Sequence, residues 1–212
     1  MTAENSALKG NTRVSRADWI DAAMETLIEA GEDQVKILTL ANRLDVSRSS
    51  FYWYFTDREA LLTDLLEAWA NKNTRSFVAS CALPAERVTG AVLNLFRCFV
   101  DEELYDPRLD FAVREWARRD EAVRRAVDTA DSARLGAIAA LFRRYGYPAS
   151  EAETRARILY YMQLGYYALA PVESLEERLA QVADYLRGFT GQESHADEVA
   201  AFTRYARAAA AR

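Results

Sequence analysis

Histidine is almost missing from this sequence: His195 is the only one in 212 residues, and Cys81 and Cys98 are the only cysteines. Zinc sites and Cys–His nucleophile pairs need more of these side chains, and no Cys-x-x-Cys occurs, so neither a metal site nor a cofactor is expected. Two cysteines in a chain of this length do not make a disulfide framework, which suits a reducing cytoplasm. Glycine (8) and proline (4) both fall well below the usual ~7% and ~5%. Few turn residues argue against a sandwich or a barrel. Long apolar runs are absent too. The longest uncharged stretch, residues 158–172, holds Gln163, four tyrosines and Pro171, and is shorter than the ~20 apolar residues of a membrane span. No charged segment followed by an apolar run opens the sequence, so no secretory signal is expected.

What is abundant is alanine, at 38 residues, the strongest helix former. Half the chain is hydrophobic, so the expected class is all-α with ample core. Caps and breakers divide it into helices. Ser15 caps a helix closed by Gly31; short helices follow at about 38–44 and 47–55; Asp57 opens a long one to about residue 80. Pro84 suits the first turn of a helix to about 104, Pro107 opens one through Trp116, and Asp120 opens another ending near Gly146. Ser150 caps a helix to Ala170, the Ser174–Glu177 capping box starts one to about Arg187, and a last helix spans about 195–210. Short helices give way to long ones near residue 56, which sets the expected domains at 1–56 and 57–212.

The segment from Leu40 to Phe55 has a logic of its own. Leu40, Ala41 and Leu44 make one apolar face, Val46 plugs a turn, and Phe51 with Phe55 gives the next helix a narrow apolar face. Arg48, Ser49, Ser50, Tyr52, Trp53 and Tyr54 are then left to point largely outward. Three bulky aromatics on an exposed face are costly unless they meet a partner. Two short helices joined by a tight turn form a helix-turn-helix, whose second helix enters the DNA major groove.

Val46-Ser47, Phe51-Tyr52-Trp53-Tyr54-Phe55 and Asp57-Arg58-Glu59-Ala60-Leu61-Leu62 together resemble the tetracycline-repressor (TetR) family of bacterial transcriptional regulators. The likeness covers about residues 15–65 by residue and the remainder by helix count and length. It implies a helix-turn-helix headpiece followed by a helical ligand-binding and dimerisation domain. It implies base contacts for Arg48, Ser49 and Ser50, and phosphate contacts for Tyr52, Tyr54, Arg58 and Thr39. Trp53 suits either the DNA backbone or packing on the first short helix. Asp45 stands where the family usually has glycine, Thr56 replaces a common lysine, and Lys36-Ile37-Leu38 replaces a more usual Thr-x-Arg start. These departures leave the phosphate clamp with fewer charges.

The resemblance also implies a ligand cavity among the long helices, walled by aromatics. Phe96, Phe99, Phe111, Trp116 and Tyr160 are the candidates, and spacing alone does not separate cavity wall from core. For dimerisation, Ile158, Tyr161, Met162, Gly165 and Leu169 trace one helix face, and Leu175, Leu179, Val182 and Leu186 trace another. The expected function is a ligand-responsive repressor, binding a palindromic operator as a cytoplasmic homodimer and released by a partly apolar or aromatic small molecule. Its partners would be double-stranded operator DNA, that small molecule and a second copy, with no membrane. Residues 1–60 hold seven basic and ten acidic side chains, unlike a typical basic DNA-binding domain. That keeps open an alternative, a helical small-molecule-binding protein whose headpiece no longer binds DNA. A cofactor-independent enzyme is opposed by the single histidine, which reads as a helix cap in Glu193-Ser194-His195-Ala196-Asp197, and no enzymatic activity is expected.

Overall fold

The computed structural model describes residues 14–212, and among these it contains helices and turns with no β-strand. The class is all-α. Lys9 and Arg13, basic residues of the N-terminal arm, lie outside the described residues. The chain divides into two compact units that meet between Leu65 and Leu66.

In the first unit, helix α1 (Arg16–Ala30) opens with a reciprocal cap. The Ser15 hydroxyl accepts from the Asp18 amide at 3.3 Å, while the Asp18 carboxylate accepts from the Ser15 amide at 2.6 Å. Gly31, at φ 83°, ends the helix. Helix α2 (Ile37–Arg43) buries Leu40 and Ala41. The chain then reverses through Asp45, whose φ of 53° is left-handed, and the Val46 amide returns to the Ala41 carbonyl at 3.0 Å. Only aspartate, asparagine and glycine visit this region readily. Asp45→Val should therefore lower stability in urea unfolding by about 1–2 kcal/mol, while Asp45→Gly should not; equal losses from both would remove backbone conformation as the reason for aspartate.

The next segment, Arg48–Trp53, is a 3₁₀ helix and not the α-helix to Phe55 that the spacing suggests. Serines and aromatics are weak helix formers. Ser50 closes the turn, its amide and its hydroxyl both donating to the Ser47 carbonyl. Phe51 meets the edge of Trp19 at 5.2 Å and stacks on Phe55 at 5.1 Å, so this short helix is anchored by rings.

Helix α3 (Arg58–Trp69) starts where the Asp57 carboxylate accepts from the Ala60 amide at 2.8 Å, and it crosses the boundary between units. A π-helical turn (Ala70–Arg75) joins it to helix α4 (Ser76–Ala82). The sequence reads a uniform helix here; the widened turn accompanies two inward polar contacts. Asn73, fully buried, donates to the Asp106 carbonyl (2.8 Å) and accepts from its amide (3.1 Å), and Thr74 accepts from Arg134 at 2.9 Å.

The remaining helices are α5 (Val88–Val100), α6 (Pro107–Trp116), α7 (Glu121–Arg144), α8 (Ala149–Leu169), α9 (Leu175–Ala180), α10 (Val182–Thr190) and α11 (Ala196–Ala210). Helices α7 and α8 pack along each other, and α5 lies against α4, α10 and α11. Their shared core includes Phe77, Val92, Leu95, Ile138, Phe142, Leu159 and Leu186. Helix α5 is shorter than the spacing suggests at both ends. Pro84 stays in the preceding loop, and Asp101 ends the helix by gathering the Tyr205 hydroxyl and Arg212 on its carboxylate. Gln181 separates α9 from α10, and Gly191, at φ 72°, closes α10.

Candidate functional site

The outward side of the headpiece's second short helix carries Arg48, Ser49, Tyr52 and Trp53, all exposed; Tyr52 is 51% and Trp53 69% accessible. Leu38, on α2, is exposed as well. Thr39 is half-buried. The Ser49 hydroxyl shares a hydrogen bond with that of Ser47 at 2.9 Å. Ser50, Tyr54 and Arg58 turn their polar atoms inward. Ser50 is buried and spends its hydroxyl on Ser47, so it does not present a donor outward. The Tyr54 hydroxyl donates to the Val14 carbonyl at 2.6 Å. Arg58 donates to the carbonyls of Val35 (2.7 Å) and Glu32 (2.9 Å) and pairs with the Glu32 carboxylate. The outward set is thus smaller than the sequence suggests, because Ser50 bonds within its own turn, while Tyr54 and Arg58 reach backbone carbonyls 23 to 40 residues away.

Charge narrows it further. Among the described cations of this unit, Arg16 pairs with Asp64, Arg43 with Glu25 and Glu29, and Arg58 with Glu32. Lys36 and Arg48 are exposed and make no ion pair with described residues. Lys36 escaped the sequence reading, since nothing local announced that the arginines would be neutralised by acids far along the chain.

In the second unit, a cavity opens between α5, α8, α9, α10 and α11. The half-open cleft measures about 570 Å³, of which about 60 Å³ admits the centre of a water molecule. Phe96 and Phe99 line it, together with Gln163, Arg178, Val182 and Phe202. Phe111, Trp116 and Tyr160 do not. Trp116 is buried, Phe111 is half-buried, and Tyr160 belongs to a polar cluster in the core.

In that cluster the Asp110 carboxylate, fully buried, accepts from Arg134 (2.9 Å), Arg114 (2.8 Å) and the Trp69 indole (2.9 Å). Arg114 also grips Asp131, and the Tyr160 hydroxyl donates to Asp131 at 2.7 Å. Burial alone would raise the Asp110 carboxyl; Arg134 and Arg114 outweigh it and hold the group down to about 2. Burial raises Cys98 to about 11, and both cysteines are buried, as small apolar side chains are.

Of the residues expected between copies, Ile158, Tyr161 and Leu169 are exposed, Leu169 at 83%. Met162, Gly165 and Leu175 are half-buried. Leu179, Val182 and Leu186 are packed inside this chain's own core and not laid bare for a second copy, which corrects their placement between copies: periodicity names a face and not what covers it. Among the described residues no group of three or more His, Cys, Asp or Glu side chains could hold a metal ion, and no helix is long and apolar enough to cross a membrane.

Residues 20–65 match the family described as bacterial regulatory proteins, tetR family. Over 66 residues the chain is 38% identical to the tetracycline repressor protein class G of Vibrio anguillarum, a match covering 31% of each. It is 28% identical over 118 residues to the HTH-type transcriptional regulator BetI of Paraburkholderia phymatum, covering 47% of this chain and 60% of that protein. The chain therefore spans less than two thirds of the length of either relative. Its fold is similar to that of the fatty acid degradation regulator FadR from Bacillus halodurans, with a TM-score of 0.62 at 15% identity over 85% of this chain and 96% of that one.

Proposed function

We propose that this chain, whose residues 20–65 match the tetR family of bacterial regulatory proteins, is a member of that family and a cytoplasmic DNA-binding repressor of transcription. In this reading it works as a homodimer on a palindromic operator and is released by a small molecule held in the second unit. The headpiece, to about residue 56, reads DNA; the helices from 57 onward bind the ligand and the second copy. The observation that carries this reading is the exposed group on the 3₁₀ helix, where two large aromatics and an unpaired arginine share a short outward surface. Arg48 and Ser49 suit base edges, while Tyr52, Trp53, Thr39 and Lys36 suit the phosphate backbone. Two such helices in a dimer would meet half-sites about one helical turn apart. A ligand that favours one arrangement of the long helices would shift the population of dimers with that spacing.

Unbiased selection of bound DNA, followed by anisotropy titration, tests this. Arg48→Ala should relax preference at one base position, by about 1–3 kcal/mol for a bidentate contact. Lys36→Ala should weaken all sequences alike and flatten the salt dependence by about 0.9 per half-site. A selection that enriches no sequence would overturn the DNA reading. The neutralisation of Arg16, Arg43 and Arg58 by acids favours the second reading, a ligand-binding protein whose headpiece has lost DNA; that same result would support it.

A further inference from the structure

We infer that the cavity between α5, α8, α9, α10 and α11 binds a small aromatic monocarboxylate, with the Gln163 amide donating to an acceptor oxygen and Arg178 balancing its charge. This rests on the ligand-responsive reading above and names the ligand's chemistry and its place.

The interior of the second unit offers two polar regions, and they differ in whether their hydrogen bonds are filled. The cluster at Asp110, Arg114, Asp131, Arg134 and Tyr160 is closed on itself: each carboxylate faces an arginine, and the Tyr160 hydroxyl both donates and accepts. Nothing there asks for a further partner. Gln163 is the opposite case. It is 8% exposed, its side chain lines the cavity, and its Nε2 completes no hydrogen bond, although the Tyr167 hydroxyl, also buried and unbonded, lies beside its side chain. A buried amide left without an acceptor is a cost the fold carries, and an acceptor arriving in the cavity would relieve it.

Water suits only part of this cavity. Each molecule needs two to four polar partners, which Gln163, Glu173 and Arg178 offer at one side, while Phe96, Phe99, Val182, Phe202 and their aliphatic neighbours make the rest of the wall. An organic ligand that brings one acceptor and an apolar body suits these walls. The rings favour a planar body. Phe96 lies 5.7 Å from Phe99 and 6.2 Å from Phe202, centroid to centroid, a setting for further edge and offset contacts.

The charge follows from Arg178. Its guanidinium sits 5.2 Å from the Tyr166 ring and reaches the Phe99 carbonyl at a stretched 3.4 Å, with no ion pair to any described carboxylate. A half-buried cation that makes no ion pair, on the wall of the same cavity as the Gln163 amide, suits a carboxylate as the incoming acceptor. Glu173, also lining the cleft and bonded to the Tyr166 hydroxyl at 3.0 Å, opposes a second negative charge. Hence a monocarboxylate.

The test is calorimetric titration of the full chain with benzoate, its neutral analogue benzamide, and the non-aromatic hexanoate. Benzoate should saturate one site per chain at concentrations below about 10 mM, tighter than hexanoate. Arg178→Gln should weaken benzoate about tenfold and leave benzamide within about twofold. Gln163→Leu should weaken both about tenfold, with the melting temperature recorded to show that the fold is intact. The wild-type comparison of benzoate with benzamide needs no variant at all: equal affinity for the two would overturn the assignment of Arg178. No saturable benzoate binding, or binding indifferent to both substitutions, would overturn the site. DNA titration with benzoate present separates the two readings. Benzoate that binds without releasing DNA upholds the site and defeats the ligand-responsive regulator. DNA binding with no benzoate site does the reverse for this inference alone.

Discussion

Asp110→Ala should destabilise the protein by about 3–5 kcal/mol in chemical denaturation, because it leaves buried guanidinium charge without its counter-ion. Arg134 is fully buried, and Asp110 is its shortest ion pair. The loss should shrink when Arg134 is replaced as well: Asp110→Leu with Arg134→Met removes both charges and fills the space with apolar atoms, an exchange that is often neutral. A double-mutant cycle on these two positions should therefore show strong coupling. The acid response follows from the same geometry. The Asp110 carboxyl sits at about 2 in the folded chain, below the ~3.9 of an unfolded aspartate. Its contribution is present in full above about pH 4 and is lost as pH falls toward 2. The wild type should lose stability across that window more steeply than the double variant. A loss below about 1 kcal/mol for Asp110→Ala would mean that water reaches the cluster.

That cluster also shows where sequence reasoning stops. Local chemistry was legible: Ser15 with Asp18, Gly31, Pro107, Asp120 and the Ser174–Glu177 box all stand at helix ends, since each acts on amides within one turn. The helix-turn-helix was legible for the same reason, with Val46 and Phe51 a few residues from the backbone they support. Arg134 was not. On α7 it reads as one more surface arginine, and its partners Asp110 and Thr74 lie 24 and 60 residues away. The π turn at Ala70–Arg75 depends on the same distant contacts. Among the aromatics, spacing could nominate Phe96 and Tyr160 alike; only the packing sends one to a cavity wall and the other into an ion cluster.

For the proposed homodimer, Tyr161→Arg with Leu169→Arg should give folded monomers and cost about a hundredfold or more in affinity for the proposed operator. The reason lies in where the apolar surface is left bare. Among the described residues, five of the nine exposed large apolar side chains fall between 158 and 185: Ile158, Tyr161, Leu169, Val172 and Tyr185. Such a concentration marks a contact surface more often than chance exposure. Leu179, Val182 and Leu186, on the helices that follow, face this chain's own core, so an arginine at Val182 would unfold the chain whether or not it dimerises. Tyr161 and Leu169 are exposed, and the single chain should tolerate charge there. Gly165 supplies the control. A Cβ added to it meets nothing within 4 Å in the single chain, and alanine is the better helix former by about 1 kcal/mol. For an isolated chain Gly165→Ala should therefore be neutral or stabilising. Where another helix packs against that face, bulk at Gly165 instead separates the helices, and Gly165→Leu should weaken the dimer without lowering the stability of the monomer. Light scattering across a dilution series reads both variants directly. A two-chain mass retained by the double arginine variant would remove this face from the interface, and a one-chain mass for the wild type would remove the dimer itself.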